Sequence, residues 1–432
     1  MCLFRPVWKA YSSSSYSPII STRMMNCILL SVLFSFAYLL ASLSVSMLQS
    51  KDTINSYFSS SQDQPQSLTE IDHIVFGIGS SLNSWPARRD YVKLWWDTQR
   101  MRGCVFVDQP LSALENNTDS HLLPPICVSE DTSRFRYTCA GGDRRAIRIA
   151  RCVLETVRMF NTSAHEVRWY VFGDDDTIFI PENLARTLSK YDHRSWYYIG
   201  AASEIYESNR VFGNDMAFGG GGIALSSSLA NVLAKNFDSC IERYPYLYGG
   251  DSRIHACVLE LGVGLSHEPG FHQFDLNGNA LGILTSHSTR PLVSLHHMSH
   301  LDPLFPNSTT FSAVQHLFSA VKLDPLRLLR PSVLLDHLCL LGIYCSARPV
   351  TFFMEYVSSD PGDGTIKSVY KQAYENCTYD PISSPRKIEE IRVFSTRFDS
   401  DIRQDKRFEN VKRRRYMLEN TLRVEGSEKT VL

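Results

Sequence analysis

The chain predicts an α/β fold with a mostly parallel sheet and helices on its faces, and three observations lead there. Strand-like and helix-like segments alternate from Ile71 onward, the pattern of parallel strands joined by crossover helices. An apolar run, Trp169 to Phe172, has the composition of a buried strand and stops at Gly173. It then delivers three successive carboxylates, Asp174, Asp175 and Asp176, at the end of a strand, where open α/β sheets bind their ligands.

The chain has 432 residues, room for one large domain or two ordinary ones. Lys and Arg number 44 against 45 Asp and Glu, so no global charge bias argues for nucleic acid as a partner. Met24 to Leu48 contains no Lys, Arg, Asp or Glu and is long enough to span a bilayer. Arg5, Lys9 and Arg23 precede it without an acidic residue, which keeps a short N-terminus cytoplasmic by the positive-inside bias. A cleaved signal peptide is the alternative, and the length of the apolar region favours an anchor. The expected division is a tail over 1–23, a transmembrane signal anchor over 24–48 and a Ser- and Gln-rich stem over 49–69. A main domain over 70–324 and a C-terminal extension over 325–432 follow. Sequons at Asn116, Asn161, Asn307 and Asn376 all lie after the anchor, as a lumenal destination requires. So do nine cysteines, none in a Cys-x-x-Cys zinc pattern. Spacing leaves their connectivity open; Cys139–Cys152 and Cys240–Cys257 are the expected pairs.

Within the main domain, Ile71 to Ile78 reads as a first buried strand and Trp85 to Arg100 as a helix that Pro86 helps to open. Gly103 to Asp108 is a second strand, and Leu111 to Pro125 a surface loop. Asp143 to Phe160 carries an apolar stripe at helical spacing, including Ala146, Ala150, Val153 and Val157. After the acidic strand, Pro181 to Lys190 reads as a helix. Four glycines, Gly219 to Gly222, allow the backbone to press against a ligand or against another strand, and both readings stay open. Helices over Ser226 to Phe237 and Ser252 to Leu261 come next, with Asp251 placed as an N-cap. Leu292 to Leu295 is a short strand ending in His296 and His297. Pro349 to Val357 is strand-like, and the charged tail from Arg403 to Arg423 reads as a solvated end.

Adjacent carboxylates at the end of a buried strand repel one another and are costly to desolvate, and a hard divalent cation such as Mg²⁺ or Mn²⁺ removes that cost. A solvated acidic turn is the plainer alternative, and the apolar strand leading in counts against it. A metal-dependent phosphohydrolase is a further alternative, although Ile178 stands where its Asp-x-Asp-x-Thr/Val motif needs Thr or Val.

Val-Phe-Gly-Asp-Asp-Asp-Thr, Phe-Gly-Gly-Gly-Gly-Ile-Ala-Leu-Ser, the later Gly-Gly-Asp and the Leu-His-His near the domain end occur in the order found in Fringe-like inverting β-1,3-glycosyltransferases. Glu-Pro-Gly-Phe-His-Gln-Phe-Asp and Pro-Leu-Val-Ser-Leu-His-His resemble the plant Fringe-related membrane proteins most closely. The resemblance spans roughly Ile71 to Pro306. It implies a Rossmann-like nucleotide-sugar transferase fold, a type II anchor in the Golgi membrane, a UDP-sugar donor, and Mn²⁺ or Mg²⁺. The acceptor it implies is a glycan or glycosylated molecule. Carried over by residue, Asp176 and His296 resemble the metal ligands, with His297 the neighbouring alternative. Asp174 and Asp175 resemble the support and donor contacts, and Asp251 the catalytic base. Arg88 or Arg89, and Arg144 or Arg145, fall near donor-contacting positions, and Gly220 and Gly221 are expected near the sugar. Gly250 departs from the family pattern, which has Asp there, leaving a binding protein without turnover as the rival expectation.

Overall fold

The structure is a computed structural model describing Ser35 and residues 68–110, 120–161, 165–280, 291–325, 332–335, 350–362, 364–373, 388–395 and 423–428. The chain divides into two compact units, Met1–Ser67 and Leu68–Leu432, and the sheets belong to the second. Apart from Ser35, the expected anchor lies outside the described residues, and no helix among those residues is long and apolar enough to cross a membrane.

The central sheet is built from β1 (Ile74–Gly79), β2 (Arg102–Val107), β3 (Ile126–Val128), β4 (Trp169–Asp174), β6 (Tyr198–Gly200), β7 (Ile223–Ser226) and β8 (Leu265–His267). A short β5 (Ile178–Phe179) intervenes in sequence and pairs elsewhere. The strand order is β3-β2-β1-β4-β7-β6-β8. Only β7 runs antiparallel to its neighbours, so the expected mostly parallel sheet is present with one reversed strand. β1 is buried along its whole length, as an interior strand covered on both faces must be.

Each face has its own layer of apolar side chains. Helix α1 (Trp85–Trp95) sets Trp85, Val92 and Trp95 against Phe76 and Val171 on one face. It stops short of the predicted Arg100, and the Asp97 carboxylate takes the Gln99 N–H in the turn that follows. Helix α2 (Arg145–Phe160) covers the other face, burying Ile147, Ala150, Val153, Leu154 and Val157 against Val75, Tyr170 and Phe172. Helices α3 (Pro181–Leu188), α4 (Tyr206–Phe212), α5 (Ser227–Arg243) and α6 (Gly250–Glu260) follow.

The segment after Asp324 forms a second sheet, all antiparallel, of β10 (Ser332–Leu335), β11 (Val350–Ser359), β12 (Ile366–Gln372), β13 (Ile388–Ser395) and β14 (Arg423–Glu428). Val350, Phe352, Met354, Tyr370 and Ile391 join the same buried cluster as Phe76 and Phe179, together with α7 (Thr310–Val321).

Disulfides link Cys240 to Cys257, as expected, and Cys104 to Cys127, which the sequence reading missed. The expected Cys139–Cys152 bridge is absent and both thiols are free. Cys152 is turned inward against Cys104 and Phe106, whereas Cys139 lies half-exposed in the loop before α2. Cys339, Cys345 and Cys377 lie outside the described residues.

Candidate metal centre

The acidic triplet leaves the sheet where β4 ends, with Asp174 in register beside Gly79 of β1. A tight turn fixes it. Asp174 N–H donates to Thr177 Oγ1 (2.7 Å), Thr177 N–H donates to the Asp174 carbonyl (3.0 Å), and Thr177 Oγ1–H donates to the Gly220 carbonyl (2.7 Å). Three adjacent carboxylates repel one another, and two basic side chains stand between them, His296 near Asp174 and Asp176 and Arg88 near Asp175 and Asp176.

Asp175 turns toward the β1–α1 junction. It accepts from Ser80 Oγ (2.7 Å), Ser84 Oγ (2.6 Å) and Arg88 Nη1 (2.9 Å), and it is buried. Asp176 turns the other way and meets His296, 120 positions on, with Oδ1 3.1 Å from Nε2. Asp174 Oδ2 lies 3.6 Å from the same nitrogen, and Arg88 Nη2 lies 3.4 Å from Asp176 Oδ2. A two-strand ribbon makes this meeting possible. β5 pairs antiparallel with β9 (Ser294–Leu295), Ile178 opposite Leu295, so the residue after β9 falls beside the end of the acidic turn. His297 then adopts a left-handed backbone (φ 57°), and its ring stacks on His296 with centroids 3.7 Å apart.

The electrostatics match the geometry. Burial, with the neighbouring Asp176 and Asp175 charges, pushes Asp174 up to about 6 against the pull of His296. Burial also works against ionised Asp176, yet the hydrogen bond and charge of His296, with Arg88, hold it down at about 2.

Asp176, His296 and His297 present ligand atoms that all lie within 4.8 Å of one another. Asp176 Oδ2 and His296 Nδ1 are buried without a hydrogen-bond partner. A carboxylate oxygen and imidazole nitrogens that converge within this distance are a donor set that fits a small divalent cation.

The glycine run serves packing at Gly220, Gly221 and Gly222, the last against the Phe179 ring at 2.9 Å from a Cβ there. A Cβ on Gly220 would come within 2.1 Å of the His296 ring, and one on Gly221 would lie 3.1 Å from the Gln273 backbone nitrogen. Gly220 and Gly221 make room for the imidazole and for the Gln273 backbone, the close packing that was one of the two readings of the glycine run. Gly219 N–H reaches Asp251 Oδ2 (3.4 Å), so neighbouring glycines touch both Asp251 and His296.

Asp251 is not the N-cap the spacing predicts. Gly249 holds that place, and Asp251 sits in the first turn of α6, where its Oδ1 accepts from Ser252 N–H (2.8 Å). Burial raises its pKa. Gly250 follows from the close approach of α6 to α2, since a Cβ there would lie 3.1 Å from both the Ala146 carbonyl and the Ala150 nitrogen. Of the arginines, Arg88 meets the acidic cluster and Arg89 follows it, half-buried, on α1. Arg145 is exposed and its guanidinium holds Asp143 at the start of α2. Arg144 donates to the Thr132 and Ser133 carbonyls.

Sequence reasoning missed Ser80 and Ser84, although two hydroxyls four residues apart at a strand-to-helix junction were a readable signal. It also missed Asp275, whose Oδ1 lies 3.6 Å from His297 Nδ1, because nothing in the sequence pairs positions so placed.

Residues 208–347 match the model of a family described as "Protein of unknown function, DUF604". That stretch holds the glycine run, Asp251, His296 and His297. No curated protein matches the chain. Among solved structures, the chain is similar to the mannosyltransferase PcManGT from Pyrobaculum calidifontis in complex with GDP-Man and Mn²⁺. The identity is 10%, with 57% of this chain and 72% of that chain covered, at a TM-score of 0.29.

Proposed function

We propose that this chain is a metal-dependent inverting glycosyltransferase of the Fringe-like kind, moving a sugar from a UDP-sugar to an acceptor hydroxyl in β-1,3 linkage. In this reading the N-terminal anchor holds it in the Golgi membrane as a type II protein, with the sequon-bearing domain in the lumen. The observation that carries the reading is the 3.1 Å approach of His296 Nε2 to Asp176 Oδ1 at the carboxyl edge of the parallel sheet.

Asp176 and His296, with His297 in reach, would hold Mn²⁺ or Mg²⁺. Such an ion, when bound, supplies Lewis-acid neutralisation of a departing diphosphate. Arg88, already paired with Asp175 and Asp176, adds fixed positive charge beside that position. Asp175 orients the arginine through its own bonds to Ser80 and Ser84. Asp251 is the base: its carboxylate takes the proton of the acceptor hydroxyl as the oxygen attacks the anomeric carbon opposite the leaving group, which inverts the configuration. Burial raises its proton affinity, which suits that task. Gly250 has a packing reason of its own, the close approach of α6 to α2, which is compatible with turnover.

The test is UDP-sugar hydrolysis and transfer by the full-length chain across the common UDP-sugars, with and without Mn²⁺. Asp251→Asn should abolish transfer and leave metal-dependent UDP binding intact; unchanged turnover would remove Asp251 from its role. His296→Ala should abolish the metal-dependent part of UDP binding.

A further inference from the structure

We propose that Phe212 and Tyr248 form an aromatic shelf that binds the pyranose ring of the acceptor glycan beside Asp251. The proposal rests on Asp251 as the group that accepts the acceptor's proton.

Helix α4 buries none of its residues, and it leaves Val211 67% exposed. Asn209 ties the helix to the chain before it, accepting from Ser203 N–H (3.1 Å) and donating to the Ser203 carbonyl (2.8 Å). Its last residue, Phe212, packs against Tyr248 with ring centroids 5.7 Å apart and planes at 45°. Phe212 also meets Phe218 edge-on at 6.0 Å. Phe218 immediately precedes Gly219, the residue whose N–H reaches Asp251, and Tyr248 lies three positions before Asp251. The pair is thus tied to the Asp251 segment twice, through Tyr248 three residues before it and through Phe218 next to Gly219.

The shelf is also held rigid. Arg253 is fully buried, and it gives one guanidinium nitrogen to the Gly249 carbonyl and another to the Leu247 carbonyl, each at 2.7 Å. Tyr137 donates its hydroxyl to the Tyr248 carbonyl (3.0 Å), and the Arg253 guanidinium lies over the Tyr137 ring. The backbone on both sides of Tyr248 is thus clamped, while the Tyr248 side chain remains 53% exposed. Fixing an exposed aromatic in place before a ligand arrives removes an ordering cost from binding.

A pyranose suits this surface. One face of such a ring is lined by C–H groups that lie well against the electron-rich face of an aromatic ring, and its hydroxyls point outward in the ring plane. Asp251, and the exposed Asp215 three positions after Phe212, would accept hydrogen bonds from hydroxyls of such a ring. Two rings offer the area of one or two sugars, too little for a stable protein interface.

The test is saturation-transfer NMR on the full-length chain, irradiating aromatic protons and reading methyl glycosides of glucose, galactose, xylose, fucose and N-acetylglucosamine. No donor or cation is added. At least one glycoside should receive saturation from the wild-type chain. Tyr248→Ala and Phe212→Ala should each weaken that binding by about tenfold, the scale of one lost aromatic stacking contact. Tyr248→Phe should retain it, since the ring and not the hydroxyl is required. Trp196→Ala, removing an exposed aromatic just ahead of β6, should also retain it. Thermal midpoints of all variants separate loss of binding from loss of fold. No binding by the wild type, or equal binding by wild type and a folded Tyr248→Ala or Phe212→Ala, overturns the shelf. An absence of UDP-sugar turnover with glycoside binding intact counts against the transferase reading and not against the shelf.

Discussion

Asp174, Asp175 and Asp176 are neighbours in sequence with three different environments. Asp175 is consumed by two serines and an arginine, Asp176 faces an imidazole at 3.1 Å, and Asp174 reaches the same imidazole only at 3.6 Å. The narrowest tolerance at the site belongs to Gly220, which has no side chain to vary. Gly220→Ala must move the His296 ring, because its Cβ would sit 2.1 Å from it. We expect a loss of about 1–3 kcal/mol in stability from overpacking, with metal-dependent UDP binding reduced at least tenfold. Gly264→Ala is the matched control, since nothing lies within 4 Å of a Cβ there. It should stay within about 0.5 kcal/mol of the parent. Thermal unfolding and titration with UDP and Mn²⁺ read both effects, and a wild-type-like Gly220→Ala would mean that His296 is not held against the glycine.

Helix α2 buries three charged side chains, Arg148, Arg151 and Glu155. Arg151, 1% exposed, is shared among Glu155 on its own helix, Asp238 on α5 and Glu130. Asp238 and Glu130 already claim most of its donors, so burial dominates at Glu155 and pushes its carboxyl up to about 7. A carboxyl whose folded pKa lies above its ordinary value binds its proton more tightly in the folded chain. Stability therefore falls as pH rises from the ordinary carboxylate range toward 7. Glu155→Gln should flatten that fall by about 1–2 kcal/mol, read by denaturant unfolding at pH 5 and pH 7. A slope unchanged by the substitution would assign it to other groups. The seam between α5 and α6 is closed covalently, and Cys257→Ser should cost about 3 kcal/mol by reopening a loop of 17 residues. Comparison with the parent under reducing conditions checks that figure, because reduction should erase the difference.

The seven-stranded and five-stranded sheets of the second compact unit share one apolar interior. Phe352 of β11 is fully buried in the cluster that also holds Phe76 of β1 and Phe179 of β5. The strands that carry the candidate metal centre and those of the C-terminal sheet should therefore unfold together. Phe352→Ala should destabilise the whole unit by about 3–5 kcal/mol, lowering the midpoint of metal-dependent UDP binding and of the spectroscopic transition alike. Two separated transitions, with only the later-melting part retaining UDP binding, would show that the sheets are energetically independent.

Much of the domain was legible as pattern. The long apolar runs of β1 and β4, the stripe of α2 and the placing of Asp174 to Asp176 at a strand end depend on residues close in sequence, and periodicity reports those directly. Short strands such as β3, β6 and β8 carry too few residues to signal themselves. The resemblance to Fringe-like proteins paired Asp176 with His296, but the register that joins them is set by a two-residue ribbon whose partners lie more than a hundred positions apart. The division of labour among the three aspartates, the packing of Gly220 under an imidazole, the Cys104–Cys127 bridge and the clamped Tyr248 belong to the same class. Each depends on which side chains distant segments turn toward one another, and a linear pattern holds no record of direction across such distances. Local chemistry wrote the elements and their order; long-range packing chose their partners.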